Sequence, residues 1–271
     1  MGIFDFLKRT NGSDNSVPKT VQHQENWAAY LTTIDGEGPG SILVDLGLRE
    51  IAPRSDLAHL LIVEIPVKNK RENGLPEVEE FDILSEIEES FDSALSAIDR
   101  VFAGHLYCEG LASVYFYVES GIDLEALLKN CMEPFRGYTF AHRAEYDPNW
   151  EGYFDFLYPA PIELQRLGNE SVIRNLTEHG DNLEKERKVE HWIYFPSQAD
   201  RSQFLTSIAN DGFEVEDLSV DEDYGLPYKA QISREDKVTL EATDEYILDL
   251  WQKAQDFNGN YDGWETYIVK D

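Results

Sequence analysis

The sequence predicts an α+β protein of two tandem α/β sandwiches, the second of them ferredoxin-like: a βαββαβ unit whose antiparallel sheet carries its helices on one face. Three observations carry this. Short apolar runs bounded by Gly, Pro and charge alternate with helix-periodic stretches along the chain. The closely spaced prolines of Tyr158-Pro159-Ala160-Pro161 bar a helix or a central strand from continuing. Beyond them the elements from the first strand onward follow the split βαβ order. A chain of 271 residues is long enough for two domains, each with its own core.

The first elements are read as follows. Asn11, Gly12, Ser13, Asp14, Asn15, Ser16 and Pro18 are small and polar, so residues 1–24 read as a flexible tether, with folded structure beginning near Trp27. The first domain then spans 25–161. Ser41 to Gly47 and Leu57 to Val67 are expected strands. Phe81, Leu84, Ile87, Phe91, Leu95, Ile98 and Phe102 recur at spacings of three and four with acids between them, which predicts one amphipathic helix of about six turns. Strands are expected at Gly104 to Cys108, Ala112 to Val118 and Gly137 to Glu145, with a short helix from Asp123 to Asn130 before the last.

The second domain spans 162–271. Ile162 to Gly180 reads as a helix stopped by its glycine. His191 to Phe195 is continuously aromatic and apolar, which predicts a strand buried on both faces. Ser197, with Asp200 three residues on, opens the next helix in a capping-box variant, and Phe204, Leu205, Ile208 and Ala209 form its apolar stripe up to Gly212. Strands follow at Phe213 to Leu218 and Tyr228 to Ser233. A helix from near Thr243 carries Ile247, Leu250, Trp251, Ala254 and Phe257 on one face and stops at Gly259. The final strand is expected at Glu265 to Val269, with the Asp262-Gly263 pair as the turn before it.

Composition narrows the partners. The 23 Lys and Arg stand against 53 Asp and Glu, a formal net charge of −30. Residues 1–161 hold 28 acids and 12 bases (net −16), and 162–271 hold 25 and 11 (net −14), so both halves are acidic. A direct nucleic-acid partner is disfavoured by repulsion from every phosphate, and an anionic membrane surface for the same reason, so neither is expected. Solubility explains such acidity on its own; a surface complementary to a basic protein is the sharper reading. Cys108 and Cys131 form no disulfide framework, no apolar stretch is long enough to span a bilayer, and Met1 to Thr10 lacks the order of a signal peptide, so a cytoplasmic location is expected.

No catalytic or cofactor motif emerges. The histidines at 23, 59, 105, 142, 179 and 191 have no metal-ligand spacing, and the sequence holds no GxSxG, Walker loop or GxGxxG. Catalytic, metal and cofactor residues are therefore expected to be none. Acid pairs such as Glu79 with Glu80, or Glu88 with Glu89, read as a solvated helix face. One acidic cluster is denser than its surroundings, with six acids in ten residues: Glu214, Glu216, Asp217, Asp221, Glu222 and Asp223. It reads either as an edge strand guarded by charge or as a docking patch for a basic protein segment; it lacks the spacing of a calcium loop.

Residues from about 162 to 271 resemble the family called regulator of ribonuclease E activity B, small acidic bacterial proteins. The resemblance lies in the helix ending at Gly180-Asp181, the strand His191-Trp192-Ile193-Tyr194-Phe195, the opening Gly212-Phe213-Glu214-Val215, and above all the hallmark Tyr261-Asp262-Gly263-Trp264-Glu265-Thr266-Tyr267. Residues 27 to 159 are similar to the domain of unknown function family 695, through Trp27 with Tyr30, Gly74-Leu75-Pro76, Tyr115 with Tyr117, Asp147-Pro148-Asn149-Trp150 with Tyr153, and Leu157-Tyr158-Pro159. The first resemblance implies a ferredoxin-like fold and a non-catalytic protein that binds a ribonuclease and lowers its activity. It also implies that Tyr261, Asp262, Gly263 and Trp264 are a structural hallmark.

The leading expectation is thus an acidic protein-binding module, an inhibitor or modulator of a ribonuclease or RNA-processing complex, with the Glu214 to Asp223 surface facing a basic segment of the partner. Two alternatives stay open. One is an immunity-type protein masking a basic toxin. The other is a hydrolase or metal-dependent activity in the first domain, using some of Tyr115, Tyr117, Asp147 and Trp150.

Overall fold

The computed structural model describes residues 23–34, 36, 38–222 and 225–271. All but the last two residues of the expected tether, and Asp223 of the acidic cluster, lie outside the described residues. The chain divides into two compact units, one running to Ala160 and the other beginning at Pro161.

The first unit is organised by two strands whose side chains are apolar on both sides. Strands β1 (Trp27–Ile34), β2 (Gly38–Asp45), β3 (His59–Pro66), β4 (Arg100–Cys108), β5 (Leu111–Val118) and β6 (Ala141–Tyr146) form one antiparallel sheet in the order β1-β2-β4-β5-β3-β6. Within β3 and β5, Leu61, Val63, Val114 and Phe116 point to one core, and Leu60, Ile62, Tyr115 and Tyr117 to another. The first core is closed by helix α1 (Val78–Leu95) through Leu84, Ile87, Phe91 and Leu95, and by the short helix α2 (Leu124–Leu128). The second is closed by Trp150 and by Tyr153 and Leu157 of the π-helical turn at Gly152–Leu157 that follows it.

Four expectations are corrected in this unit. Strand β1 was not anticipated: its outer side carries Trp27 and Leu31 and its inner side Tyr30 and Ile34, so no period-two signal stands out. Helix α1 ends five turns in, where the Ser96 hydroxyl donates to Ser93 O, and the apolar spacing runs on only because Ile98 and Phe102 pack on the same core from a turn and from β4. Glu80 is not on a solvated face. It is buried, and although burial works to raise its pKa, the Lys68 N–H (2.9 Å), the Tyr138 hydroxyl (2.8 Å) and the Asn69 amide (2.8 Å) hold it below the usual value. Tyr138 is thereby held in a loop, and β6 begins at Ala141 rather than Gly137.

In the second unit, α3 (Pro161–Glu178) precedes the βαββαβ series β7 (Arg187–Phe195), α4 (Gln198–Ser207), β8 (Glu214–Asp217), β9 (Tyr228–Asp236), α5 (Leu240–Asp256) and β10 (Asn260–Glu265). The antiparallel order β10-β7-β9-β8 is that of the split βαβ arrangement. Phe204 and Ile208 of the α4 segment and Ile247, Leu250 and Ala254 of α5 bury Val189, Ile193, Ala230 and Ile232. Helix α5 opens at Thr239, whose hydroxyl accepts from Ala242 N, earlier than its apolar stripe suggests.

Strand β7 is not buried on both faces. Arg187, Val189, His191, Ile193 and Phe195 point into the core, while Lys188, Glu190, Trp192 and Tyr194 lie half-buried on the outer side. The continuous apolar run arises because the outer side carries two aromatics. The last strand is also corrected: β10 is the Asn260–Glu265 segment itself, so the hallmark is a strand and not the turn before one. The register passes from Tyr261↔Ile193 to Gly263↔Trp192, leaving Asp262 as the extra residue of a bulge, and Gly263 takes φ 146° there.

Candidate functional site

Four places hold the polar and aromatic residues that could do chemistry or bind. The aromatic and acidic residues of the first unit form a closed lock. Trp150 is fully buried and stacks on Tyr117 with ring centroids 3.8 Å apart, and its indole N–H donates to Leu57 O at 2.9 Å. The Tyr117 hydroxyl donates to Asp147 Oδ2 (2.7 Å) and accepts from Tyr153 N–H (3.0 Å). Asp147 also accepts from Gly152 N–H through Oδ2 (2.9 Å) and from Glu151 N–H through Oδ1 (2.8 Å), and the Tyr153 hydroxyl donates to Asp45 O at 2.9 Å. Burial, with the Asp147 carboxylate beside it, pushes the Tyr117 phenol pKa up. Tyr117 and Asp147 thus bond the backbone at the start of the π turn, Trp150 and Tyr153 tie it to Leu57 and Asp45, and Tyr115 packs in the same core.

The acidic cluster lies at the β8 edge of the second sheet. Glu216 accepts from the Ser233 hydroxyl (2.6 Å) and pairs with Lys188 Nζ (2.7 Å), and Asp217 pairs with Lys229 Nζ (2.6 Å) and accepts from the Ser219 hydroxyl (2.8 Å). These partners, the lysines foremost, hold both carboxyls below their usual pKa. Glu214, Asp221 and Glu222 are exposed, and Val215, Leu218 and Val220 are exposed among them. Glu216 and Asp217 are therefore balanced by cations of the same sheet. The mixture of charge and short strand is also what keeps an edge from pairing with another chain.

A buried ion pair organises the end of the chain. Helix α3 closes in a Schellman arrangement, with Asp181 N–H donating to Leu176 O (3.1 Å) and Gly180, at φ 76°, donating to Thr177 O (2.9 Å). This sends the Asp181 carboxylate inward to Arg187, both side chains fully buried. Asp181 Oδ2 also accepts from Val269 N–H (2.8 Å), and Arg187 reaches Asn182 O, Lys185 O and Tyr267 O. The segment expected as a final strand is thus held by this pair rather than by a sheet. Nearby in the core, His191 Nδ1 lies 2.8 Å from the Tyr261 hydroxyl, and its Nε2 meets no polar partner among the described residues. Burial, with Arg234 adding to it, pushes His191 down to about 3.

The fourth place is a half-open groove of 710 Å³ between α3 and the β10 edge. Its α3 wall runs from Gln165 to Leu176, its floor holds Trp192 and Tyr194 of β7, and its far wall is the hallmark strand from Asp262 onward. The Trp264 indole N–H donates to Asn169 Oδ1 (3.1 Å); Asn169 is itself fully buried, accepts from Gln165 Nε2 (3.2 Å) and donates to Asp244 (2.9 Å). The hallmark is therefore divided. Tyr261 is the buried member, while Asp262, Gly263 and Trp264 line the groove. Sequence reasoning missed Trp192 and Tyr194 as groove residues. The available signal was an apolar strand whose fold covers only one face with helices.

Among the described residues no group of three or more His, Cys, Asp or Glu could hold a metal ion, and no helix is long and apolar enough to cross a membrane. No curated protein matches the chain. A crystal structure of an unknown protein from Galdieria sulphuraria is 9% identical, over 78% of this chain and 98% of that one, at a TM-score of 0.21. A candidate glycine cleavage system transcriptional repressor is 13% identical, over 77% and 98%, at 0.20. Likenesses that loose carry no argument. Residues 25–158 match the model of DUF695, a family of unknown function, and residues 168–266 that of Regulator of ribonuclease activity B. The two matches lie in tandem, the DUF695 match first and the Regulator of ribonuclease activity B match after it.

Proposed function

We propose that the chain regulates a ribonuclease by binding it, without catalysis of its own, through the unit that begins at Pro161. The observation that carries this is the family match over 168–266, which takes in the whole βαββαβ series. The charge of residues 162–271, net −14, favours a partner with a basic segment and would speed its encounter. Glu214, Asp221 and Glu222 are exposed carboxylates of the β8 edge that such a segment would meet. No chemistry is assigned to the first unit, whose Tyr117, Asp147 and Trp150 are occupied in the lock.

The test is co-elution of the full chain with a purified ribonuclease carrying a basic segment, and the rate at which that enzyme cleaves RNA. The expected result is a complex that weakens as salt rises, with slower cleavage. Joint replacement of Glu214, Asp221 and Glu222 by their amides should slow association several-fold and leave dissociation nearly unchanged. Absence of a complex at low salt, or a complex without any effect on cleavage, overturns the reading.

A further inference from the structure

We infer that the groove between α3 and β10 is the seat of an extended basic segment of the protein partner, an arginine or lysine side chain lying on Trp192 and Tyr194 with its charge facing Asp262 and Glu265. This rests on the reading that the second unit binds a protein, and it names a contact surface at the sheet edge opposite the β8 acids.

Four observations support it. The groove's size falls within the range of specific ligand sites, roughly 300–1,000 Å³. Among the described residues its charged lining is acidic, Asp262 and Glu265, with no lysine or arginine. One wall is set in advance: the Trp264 indole is fixed through buried Asn169 to Gln165 and Asp244, so that wall needs little ordering on binding. Its α3 wall is low, for a Cβ added at Gly168 would meet nothing within 4 Å, leaving room for a backbone to approach.

Aromatic faces could in principle stack nucleic-acid bases or cover an apolar helix as well. Phosphates would face the two carboxylates and a unit that is already anionic. An apolar helix would bury those carboxylates against carbon, at a cost in desolvation. A guanidinium or ammonium group satisfies both features together, with its charge against the acids and its face or stem on the rings.

The test uses the full chain, a short peptide of alternating glycine and arginine, and the same peptide with citrulline in place of arginine. Tryptophan fluorescence and calorimetry read binding. Gly168→Leu fills the groove from a helix position where it improves helix propensity, so it should fold; Glu265→Gln removes one acid from an exposed position. The arginine peptide is expected to bind, the citrulline peptide to bind about tenfold more weakly, and Gly168→Leu to lose about tenfold in affinity. Glu265→Gln should lose several-fold, with the thermal midpoint of both variants retained. Equal affinity of the arginine peptide for wild type and Gly168→Leu overturns the inference, because attraction by net charge alone would give that result.

The same variants separate this inference from the proposed function. If a ribonuclease is bound and slowed equally by wild type and Gly168→Leu, the groove is wrong and the regulatory reading stands. If the peptide binds in the groove while no ribonuclease is bound, the regulatory reading fails and the groove stands.

Discussion

The two units each carry a set of large aromatics beside an acid, and the two sets behave in opposite ways. In the first unit, Tyr117, Trp150 and Tyr153 are buried together, and the half-buried Asp147 accepts from the Tyr117 hydroxyl and from the Gly152 N–H. In the second, Trp192, Tyr194 and Trp264 stand around Asp262 and Glu265 and leave a groove between them. Residue types are nearly the same. The difference lies in which neighbours supply the partners: the first set is completed by the backbone of its own π turn, and the second borders a helix wall too low to fill the space. Aromatic and acidic composition therefore does not separate a packed cluster from the lining of a groove; how closely the neighbouring elements fill the space does.

The largest expected effect breaks the lock. Trp150→Ala should cost the first unit about 3–5 kcal/mol, from lost burial and the cavity left behind. Urea denaturation of the full chain should show that loss in the transition belonging to the first unit. A loss under about 1 kcal/mol would mean that the cluster is not packed as described.

The second effect concerns acid stability of the second unit. An unfolded histidine titrates near 6.5, whereas folding pushes His191 down to about 3, so the unfolded chain binds the extra proton between those values. The contribution of neutral His191 is fully present above about pH 6.5 and is lost as pH falls toward 3, by at most about 1.4 kcal/mol per pH unit. Thermal midpoints across that window should fall more steeply for wild type than for His191→Gln. Parallel curves would show that His191 is not buried in its neutral form.

A smaller effect tests whether the Tyr117 hydroxyl is structural. Tyr117→Phe keeps the ring stacked on Trp150 but leaves the Tyr153 N–H without its acceptor and removes one donor from Asp147. The expected cost is about 1–3 kcal/mol. A neutral result would release Tyr117 from the lock and reopen the first unit to other roles.

How much of this was legible follows the same division. Helices α1, α3 and α5 could be read because each buries one stripe at spacings of three and four, and the βαββαβ order followed from glycines and prolines that punctuate the chain. The misreadings fall where a residue serves a second demand. Strand β7 read as buried on both faces because Trp192 and Tyr194 occupy its outer side, the side of the groove. Strand β10 was displaced because Asp262-Gly263, a turn signal in most settings, forms a bulge within the strand. The acids of the β8 edge were legible as a cluster, but not their pairing with Lys188 and Lys229, which comes from strands that only the fold brings alongside. Asp181 and Arg187 drew no attention as a pair, since nothing in their spacing announces a fully buried ion pair.

Two glycines give the sharpest version of the comparison, because the same substitution should have opposite signs in the two places. At Gly152, in the lock, a Cβ would lie 2.4 Å from Leu60 Cδ2 and 3.2 Å from the Tyr117 hydroxyl. Leu60 is buried in the core and cannot swing away without displacing its neighbours, so Gly152→Ala should destabilise the first unit by about 1–3 kcal/mol. At Gly168, in the middle of α3 and facing the groove, a Cβ meets nothing within 4 Å, and helix propensity alone should make Gly168→Ala stabilising by about 0.5–1 kcal/mol. Urea midpoints of the two variants against wild type decide the matter. Destabilisation at both positions would mean that the groove is already filled by its own walls, and the contrast between a closed cluster and an open one would fall with it.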